Sequence, residues 1–567
     1  MPQPKTSAQY LFARGESGGA PADAPVTGST DAVGTGVPAE AERLAAGTGG
    51  RQPLTGPRGW GQRIAGAWPL LAVLVVQTAL SVRLLRADTA FQDEALYLWA
   101  GHLQWAHWLH GTPIPPFPYY FSGAPVIYPP LGALADGIGG LAGARVLSLV
   151  FMLGATGLAW GTTARLFGRR AAFFAAALFA VLGPTLHLGA FATYDAMALF
   201  LIALAAWFVV RAGNRGDAAG WMVAAGAALA LANAAAYSSV LFDVFVLALA
   251  VLVVWPAAGG RAAARRAATV LVVTAALLTA GLLVGGGSYL SGFQQTTLAR
   301  ASGSESALSV LADSWSWAGL IFALAMCGVI ISWAGRRGWV QTTLLAVLAI
   351  AMVAGPLEQA RLHTAASLNK HVGLGAWFAV IAAGYAIDWF IAAAPAGRAQ
   401  AITTAACVAA LAFPAVLGAS QSWQLSTSWP NATSFVAVMR PLVARYPGPM
   451  LVEDPSIAEY YLAVDATQWR RWSSTRNIVL PSGASTGHPT SQGIVGAGNP
   501  AAFSRYIARG YFTLVALNFA DTTALDHAIR AELSRHHYEP IQVVPYGIEV
   551  PPLGQGTYVI YRYEPAK

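Results

Sequence analysis

Apolar residues along this chain come in long blocks rather than at the spacing of a half-buried helix or strand. The first block runs from about 67 to 85, through the stretch LLAVLVVQTAL. Ten more follow, at about 145–164, 171–188, 196–210, 220–236, 238–255, 267–286, 316–334, 339–356, 371–391 and 400–419. Each approaches the roughly 20 apolar residues that a helix needs to cross a hydrocarbon core. The pattern predicts a mainly α, polytopic transmembrane bundle of about eleven spans. Past about 420 the blocks end and shorter elements take over. A helix to about 446, a buried strand at 449–454, a helix at 499–509, a strand at 511–519, an amphipathic helix at 522–536 and a closing strand at 556–564 predict a small α/β domain. Residues 1–62 are rich in Gly, Ala, Pro, Thr and Ser, show no period, and carry no apolar signal-peptide core. The expected division is a disordered tail over 1–62, a membrane domain over 63–420 and an outer domain over 421–567.

Composition strengthens this reading. Charged residues make up 11% of the 567-residue chain, hydrophobic residues 56%, and mean hydropathy is +0.51. Soluble domains carry about 25% charge. A soluble enzyme, a disulfide scaffold and a disordered protein are excluded. Cys327 and Cys407 both lie inside apolar blocks and do not form a disulfide framework.

The net charge of +8 points to topology, not to nucleic acid, because the basic residues cluster between blocks. Arg165, Arg169 and Arg170 follow the second block, and Arg211 and Arg215 the fourth. Arg261, Arg265 and Arg266 follow the sixth, Arg336 and Arg337 the eighth, and Arg398 the tenth. Arg51, Arg58 and Arg63 precede the first. By the positive-inside rule the N-terminus is cytoplasmic, and eleven spans leave the C-terminus outside. The loops at about 87–144, 187–195, 287–315 and 357–370 then face outward. The Arg, Ala and Gly bias is that of a GC-rich bacterial genome, so a bacterial cytoplasmic membrane is expected.

Candidate chemistry concentrates in those outer loops. Asp93 and Glu94 stand side by side in FQDEALYLWAG, just past the first block, where they suit either chemistry or a helix N-terminus. His102, Trp105, His107, Trp108 and His110 follow on an amphipathic interfacial stretch. The histidine spacings of five and three are no standard zinc signature. Asp195 opens the fourth block in ATYDAMALF, and EQARLHTAASLNKH (358–371) carries Glu358, Arg361, His363, Lys370 and His371. Lys370 is the one lysine between Lys5 and Lys567. Asp243 lies inside the sixth block, where a carboxylate faces a polar cavity or a partner such as Asn233 or Tyr237. TQWRRWSS (467–474) interleaves aromatic and basic residues that suit either a polysaccharide or lipid headgroups.

An acidic pair just after the first span resembles the Asp-Glu signature of the GT-C glycosyltransferases, and of glycosyltransferase family 39 in particular. That family includes the protein O-mannosyltransferases and the aminoarabinose transferases. YPPLG (128–132) before an Arg-bearing second span, ARLFGRRAA (164–172) and ATYDAMALF (192–200) are similar to its motifs in order and topology. The resemblance covers about 67–390 and implies that 63–420 is a GT-C catalytic domain. It implies an enzyme, a hexosyl- or pentosyltransferase, moving sugar from a polyprenyl-phosphate donor to a glycan or protein acceptor at the outer face of the membrane.

In that reaction a carboxylate takes the acceptor proton and cations hold the departing phosphate. Asp93 is expected as the base, Glu94 as its orienter or the holder of the acceptor, and Asp195 as an aid on the acceptor side. Arg361, Lys370, His363 and His371 are expected at the phosphate, with Asp243, Tyr128 and Tyr237 lining the cavity. Membrane lipid is an expected partner and nucleic acid is not. No cofactor is assigned, and the acidic pair is compatible with a divalent metal. The alternatives are a non-enzymatic transporter or flippase of lipid-linked sugars, and a membrane-anchored envelope assembly protein.

Overall fold

The computed structural model describes residues 68–213, 218–299, 302–453, 455–463, 468–475, 489–490, 493–494, 500–519, 522–547 and 555–565. The expected tail over 1–62 lies outside the described residues, as do Arg63 and Arg215.

The membrane part starts with α1 (Trp68–Val82), α2 (Gln92–His110), α3 (Tyr128–Leu166), α4 (Arg169–Val181), α5 (Gly183–Leu188), α6 (Tyr194–Ala212) and α7 (Ala219–Ala235). A short 3-10 helix, Tyr237–Phe242, leads into α8 (Asp243–Leu252). Then come α9 (Trp255–Phe293), α10 (Ala307–Ala334), α11 (Trp339–Arg361), α12 (Leu368–Ala393), α13 (Arg398–Ala410) and α14 (Ala412–Ser426). All eleven apolar blocks lie on these helices. Among the described residues, seven helical stretches are long and apolar enough to cross a membrane: α3, α6, α9 with its last turn, α10, α11, α12, and α13 with α14. The helices Trp68–Val82, Ala219–Ala235 and Tyr237–Leu252 are apolar but shorter. The block at 171–188 is shared by α4 and α5, which part at extended Leu182 ahead of Pro184.

Two helices carry breaks that periodicity alone does not show. α3 is interrupted at Gly139 and Gly140, the latter at φ +61°, which separates a pre-membrane segment from the span. α9 is interrupted at Gly286, at φ +72°, and then runs on to Phe293 and a π-helical turn, Gln294–Leu298. Much of the expected outer loop at 287–315 is therefore helical. α10 starts where Ser306 accepts the Ser309 N–H at 3.0 Å.

The core of the bundle is α12, which packs on α4, α10 and α11 and is buried without interruption from Lys370 to Ala386. Small residues make this close packing feasible. A Cβ on Gly384 would lie 2.4 Å from the Ala171 carbonyl oxygen of α4. By contrast α9, α13 and α14 turn most of their apolar side chains outward, as helices facing lipid do.

The C-terminal domain, here given the name outer domain after its expected side of the membrane, has α15 (Thr433–Arg445), β1 (Met450–Val452), α16 (Pro455–Leu462), β2 (Trp472–Ser474), the short pair β3 (Pro489–Thr490) and β4 (Gly493–Ile494), α17 (Pro500–Ala508), β5 (Leu514–Leu517), α18 (Thr523–Leu533), β6 (Tyr538–Gly547) and β7 (Gln555–Tyr563). Its five-stranded sheet has the order β2-β1-β5-β7-β6. β2, β1 and β5 are parallel, while β7 is antiparallel to β5 and β6. Alternating side chains bury both faces. Met450, Val452, Leu514 and Ala516 meet α15 and α16. Leu451, Val515 and Leu517 meet α17 and α18. β6, for which the sequence analysis has no counterpart, contains Pro540 and Pro545. It is tolerated as an edge strand, with a register shift between Pro540 and Gln542.

At the carboxyl ends of β1 and β5, Glu453 accepts the N–H groups of Asn518 (2.9 Å) and Thr522 (2.8 Å). Asp526 lies beside it and accepts from Thr522 Oγ1 at 2.9 Å. Burial, and then the neighbouring Glu453, push the Asp526 carboxyl well above the ordinary carboxylate range.

Two outcomes are expected. The folded outer domain binds a proton at Asp526 that the unfolded chain releases. Its stability is therefore full in acid and declines as pH rises through the raised value. Asp526→Asn should match wild type at low pH and outlast it at alkaline pH in thermal melts; parallel pH profiles would refute the shift. In the membrane part, a Cβ on Gly101 would lie 2.0 Å from the Pro129 carbonyl oxygen at the start of α3. Gly101→Val should force α2 off α3 and destabilise by about 1–3 kcal/mol or more, read as a lower melting temperature in detergent.

Candidate active site

Three charged side chains from distant parts of the chain meet at one end of the bundle. Asp93 is in the first turn of α2, Asp195 in the first turn of α6, and Lys370 in the first turn of α12. Lys370 Nζ lies 3.0 Å from Asp93 Oδ2 and 3.2 Å from Asp195 Oδ2. Thr193 Oγ1 donates to Asp195 Oδ2 at 2.9 Å. The side chains of Lys370 and Asp195 are 8% and 7% exposed, that of Asp93 29%. Asp93 is thus the member open to a substrate. The ammonium donates a hydrogen bond to Asp93 and pairs with Asp195 by charge.

Aromatic rings surround the cluster. Lys370 Nζ is 5.4 Å from the Phe191 ring centroid, a cation–π contact. Phe191 also meets Phe91 (5.7 Å), His187 (4.6 Å) and Trp429 (6.0 Å). On another side Tyr97 stacks on Tyr194 at 4.8 Å. Burial, with the charge of Asp93 adding to it, pushes the Tyr97 phenol well up, so it stays a hydrogen-bond donor.

The segment before Asp93 is fixed from two directions. From below comes Arg145, fully buried on α3. Its Nε and Nη2 pair with the two oxygens of Glu94 at 2.8 and 2.7 Å. Its remaining N–H groups go to the carbonyls of Leu85, Asp88 and Thr89. Glu94 in turn accepts the N–H of Phe91 at 3.0 Å, closing the N-terminus of α2, and that of Ala192 at 2.7 Å. From above comes the outer domain and the chain leading to it. Tyr461 Oη accepts the Ala90 N–H at 2.8 Å, and Trp429 Nε1 donates to the Thr89 carbonyl at 3.0 Å. Asn431 Nδ2 donates to Asp88 Oδ1 at 2.8 Å. Burial dominates the Asp88 carboxyl and pushes it up to about 6, against hydrogen bonds from Thr89 and Asn431 and the charge of Arg145.

The other expected site residues sit elsewhere. Glu94 is fully buried, with both oxygens engaged, so it cannot hold an acceptor as one of its two expected roles required. Arg361 is exposed and pairs with Glu358 one turn back at 2.6 Å. His363 Nδ1 contacts the Glu305 carbonyl at 2.9 Å, tying two loops together. His371 is buried against the side chain of Gln359 at 2.9 Å and the Ser367 carbonyl at 3.1 Å. Of the four residues expected at a phosphate, only Lys370 joins the cluster.

The three residues expected along a cavity also have local roles. Asp243 accepts from Asn233 Nδ2 at 2.7 Å, and Ser239 Oγ donates to Asn233 Oδ1 at 2.6 Å. Tyr128 is fully buried at the head of α3. The Tyr237 N–H donates to the Ser122 carbonyl. None of these contacts reaches Asp93. His102 pairs with Asp136 at 2.7 Å, and Asp136 also accepts from Tyr460 Oη at 2.6 Å. Among the described residues no three metal-ligating side chains converge. The described part of the aromatic and basic stretch, 468–474, turns inward apart from exposed Arg470. Trp469 donates to the Pro113 carbonyl, Arg471 to carbonyls at the end of α15, and Trp472 is buried.

Phe191, Thr193, Tyr97 and Trp429 carried no sequence signal as site residues. Arg145 did carry one, since a charge inside an apolar block demands a partner.

Residues 137–284 match the model of the dolichyl-phosphate-mannose-protein mannosyltransferase family. No curated protein matches the sequence significantly. Among solved structures, ArnT from Cupriavidus metallidurans in the apo state superposes with a TM-score of 0.58 at 15% identity, covering 88% of this chain and 98% of that one. The same protein bound to undecaprenyl phosphate gives 0.55 at 15% identity, with the same coverage. The oligosaccharyltransferase AglB from Archaeoglobus fulgidus, in complex with an inhibitory peptide and a dolichol-phosphate, gives 0.52 at 14%, covering 88% of this chain and 76% of that one. The chain has the GT-C glycosyltransferase fold, a multi-pass membrane bundle with a small C-terminal sheet domain.

The Glu94–Arg145 pair should be the structural lock of this region. Removing one partner of a buried pair costs about 3–5 kcal/mol. Glu94→Gln and Arg145→Met are each expected to lower stability on that scale, and the double variant to lose less than the two losses added. Additive losses in a double-mutant cycle would show the two side chains to be uncoupled.

Proposed function

We propose that this chain is a membrane glycosyltransferase that moves a sugar from a polyprenyl-phosphate donor to a hydroxyl acceptor at the outer face of the bacterial cytoplasmic membrane. The observation that carries this reading is the Asp93–Lys370–Asp195 cluster, set at helix starts at one end of the membrane bundle. Solved proteins of the same fold hold undecaprenyl phosphate or dolichol-phosphate, which supports a lipid-phosphate donor here. In this reading the N-terminus is cytoplasmic, and residues 421–567 form an outer domain above the site. The acceptor is a cell-envelope glycan or protein.

Asp93, the more open carboxylate, takes the proton of the acceptor hydroxyl as its oxygen attacks the anomeric carbon. The bond from that carbon to the phosphate oxygen breaks, and the lipid phosphate leaves with the electron pair. One displacement inverts the anomeric centre. Lys370 presents an N–H not given to Asp93 to the developing phosphate charge. Asp195 and Thr193 hold the ammonium in place and act as positioning residues. The aromatic wall of Phe91, Phe191 and Trp429 excludes water from the displacement and gives the sugar ring a face to rest on.

The test is transfer from a panel of labelled polyprenyl-phosphate sugars in proteoliposomes. Asp93→Asn should lower turnover by about 10²–10⁴-fold with donor binding retained. Lys370→Ala should weaken donor binding as well. Transfer by Asp93→Asn at the wild-type rate would remove Asp93 from the chemistry and sink the proposed mechanism.

A further inference from the structure

A second charged feature lies at the far end of the same helices. α6 begins with Asp195 at the candidate site and ends with Arg211. Its 19 residues are about 28 Å long, close to the thickness of a hydrocarbon core. Around Arg211 is a cavity of about 1080 Å³ whose lining includes Arg165 from the end of α3 and Arg337 from the turn between α10 and α11. Three arginines from three separate elements thus line one concave space, the Arg211 guanidinium lying 5.7 Å from the Trp221 ring centroid. Among the described residues, no Asp or Glu lines it. Arg266 of α9 donates to the carbonyl of Gly213, which also lines the cavity.

The walls and the depth say what such a space accepts. Apart from the arginines it is lined largely by Val210, Leu252, Val253 and Leu344, with Phe167 and Trp339. Trp339 meets Trp255 edge to face at 5.4 Å, and these rings are 58% and 40% exposed. Half-exposed tryptophans at helix ends mark the headgroup level of a bilayer. A site at that depth, cationic at its mouth and apolar along its walls, matches a phosphate joined to acyl chains. Guanidinium forks bind phosphate oxygens bidentately, and basic pockets between membrane helices take anionic headgroups.

We propose that this cavity binds the phosphate headgroup of an anionic phospholipid in the leaflet opposite the candidate active site, held by Arg165, Arg211 and Arg337. It is a site of its own, and it stands whether or not the transfer reaction proposed above is correct.

The test is lipid binding by the full-length protein in nanodiscs, followed by native mass spectrometry and thermal melting. Phosphatidylglycerol is added to a phosphatidylcholine background. Wild type should retain the anionic lipid and melt at a higher temperature with it. The variant Arg165→Ala/Arg211→Ala/Arg337→Ala should bind it roughly a hundredfold more weakly and lose the shift. The charge-matched variant Arg261→Ala/Arg265→Ala/Arg398→Ala removes exposed arginines that do not line the cavity, and should behave as wild type. If the triple cavity variant does not fold, Arg337→Gln alone, on an exposed turn, should still weaken retention several-fold. Equal loss in the charge-matched variant would assign the effect to diffuse surface charge and overturn the proposal. So would undiminished binding in the cavity variants, or displacement of the lipid by soluble glycerol phosphate at equal concentration, which would make the ligand a free phosphate.

Discussion

The buried pairing of Glu94 with Arg145 is the constraint on which the candidate site depends. Five N–H groups of one guanidinium are all used, two on the carboxylate and three on carbonyls of the segment that precedes α2. The carboxylate in turn closes the N-terminus of α2 and accepts the N–H of Ala192. One ion pair therefore fixes α2, α3 and the loop before α6 against one another. Asp93 is the next residue along from Glu94, and Thr193 the next from Ala192. The positions of Asp93 and Asp195 follow from a contact in which neither takes part. In a bundle edge of low polarity such a pair is stable only because every donor has an acceptor.

The chemistry of the cluster rests on an imbalance of charge and exposure. Two carboxylates share one ammonium, and the two buried members face each other. The hydrogen bond of the ammonium goes to Asp93, the member nearest the open side. A lysine suits this place better than an arginine. Its ammonium is compact enough to sit between two oxygens at 3.0 and 3.2 Å and against the face of Phe191, whereas a planar fork would claim one carboxylate bidentately. A chain that otherwise uses arginine in its interior keeps its one interior lysine where that geometry is needed.

What the sequence made legible was what local chemistry determines. Apolar blocks gave every membrane helix, because lipid admits few alternatives to a long apolar helix. The acids at 93 and 195 and the lysine at 370 were readable as unusual residues at helix starts. Their convergence was not, since Asp93 and Lys370 are 277 residues apart and nothing local encodes that approach. The same blindness grouped Arg361 and His363 with Lys370. They share a loop, yet Arg361 is satisfied by Glu358 within its own helix, which leaves it no reason to turn inward. Asp243 went better, because its partner Asn233 is only ten residues away. In the outer domain the strand at 538–547 had no counterpart in the sequence analysis; its prolines fit a strand only at a sheet edge, which is a property of the sheet and not of the segment.

The outer domain's grip on the segment before Asp93 has a consequence for how the protein is made. Ala90 and Tyr461, which share a hydrogen bond, are separated by 371 residues. At about 5–20 residues per second, synthesis of that interval takes about 20–75 s. Until Tyr461 is made, the segment is held only by partners earlier in the chain, from Arg145 to Trp429 and Asn431. The segment before Asp93 therefore receives its last anchor only after nearly the whole chain has been made, and a ribosome stalled short of residue 461 leaves behind a bundle in which that anchor is missing.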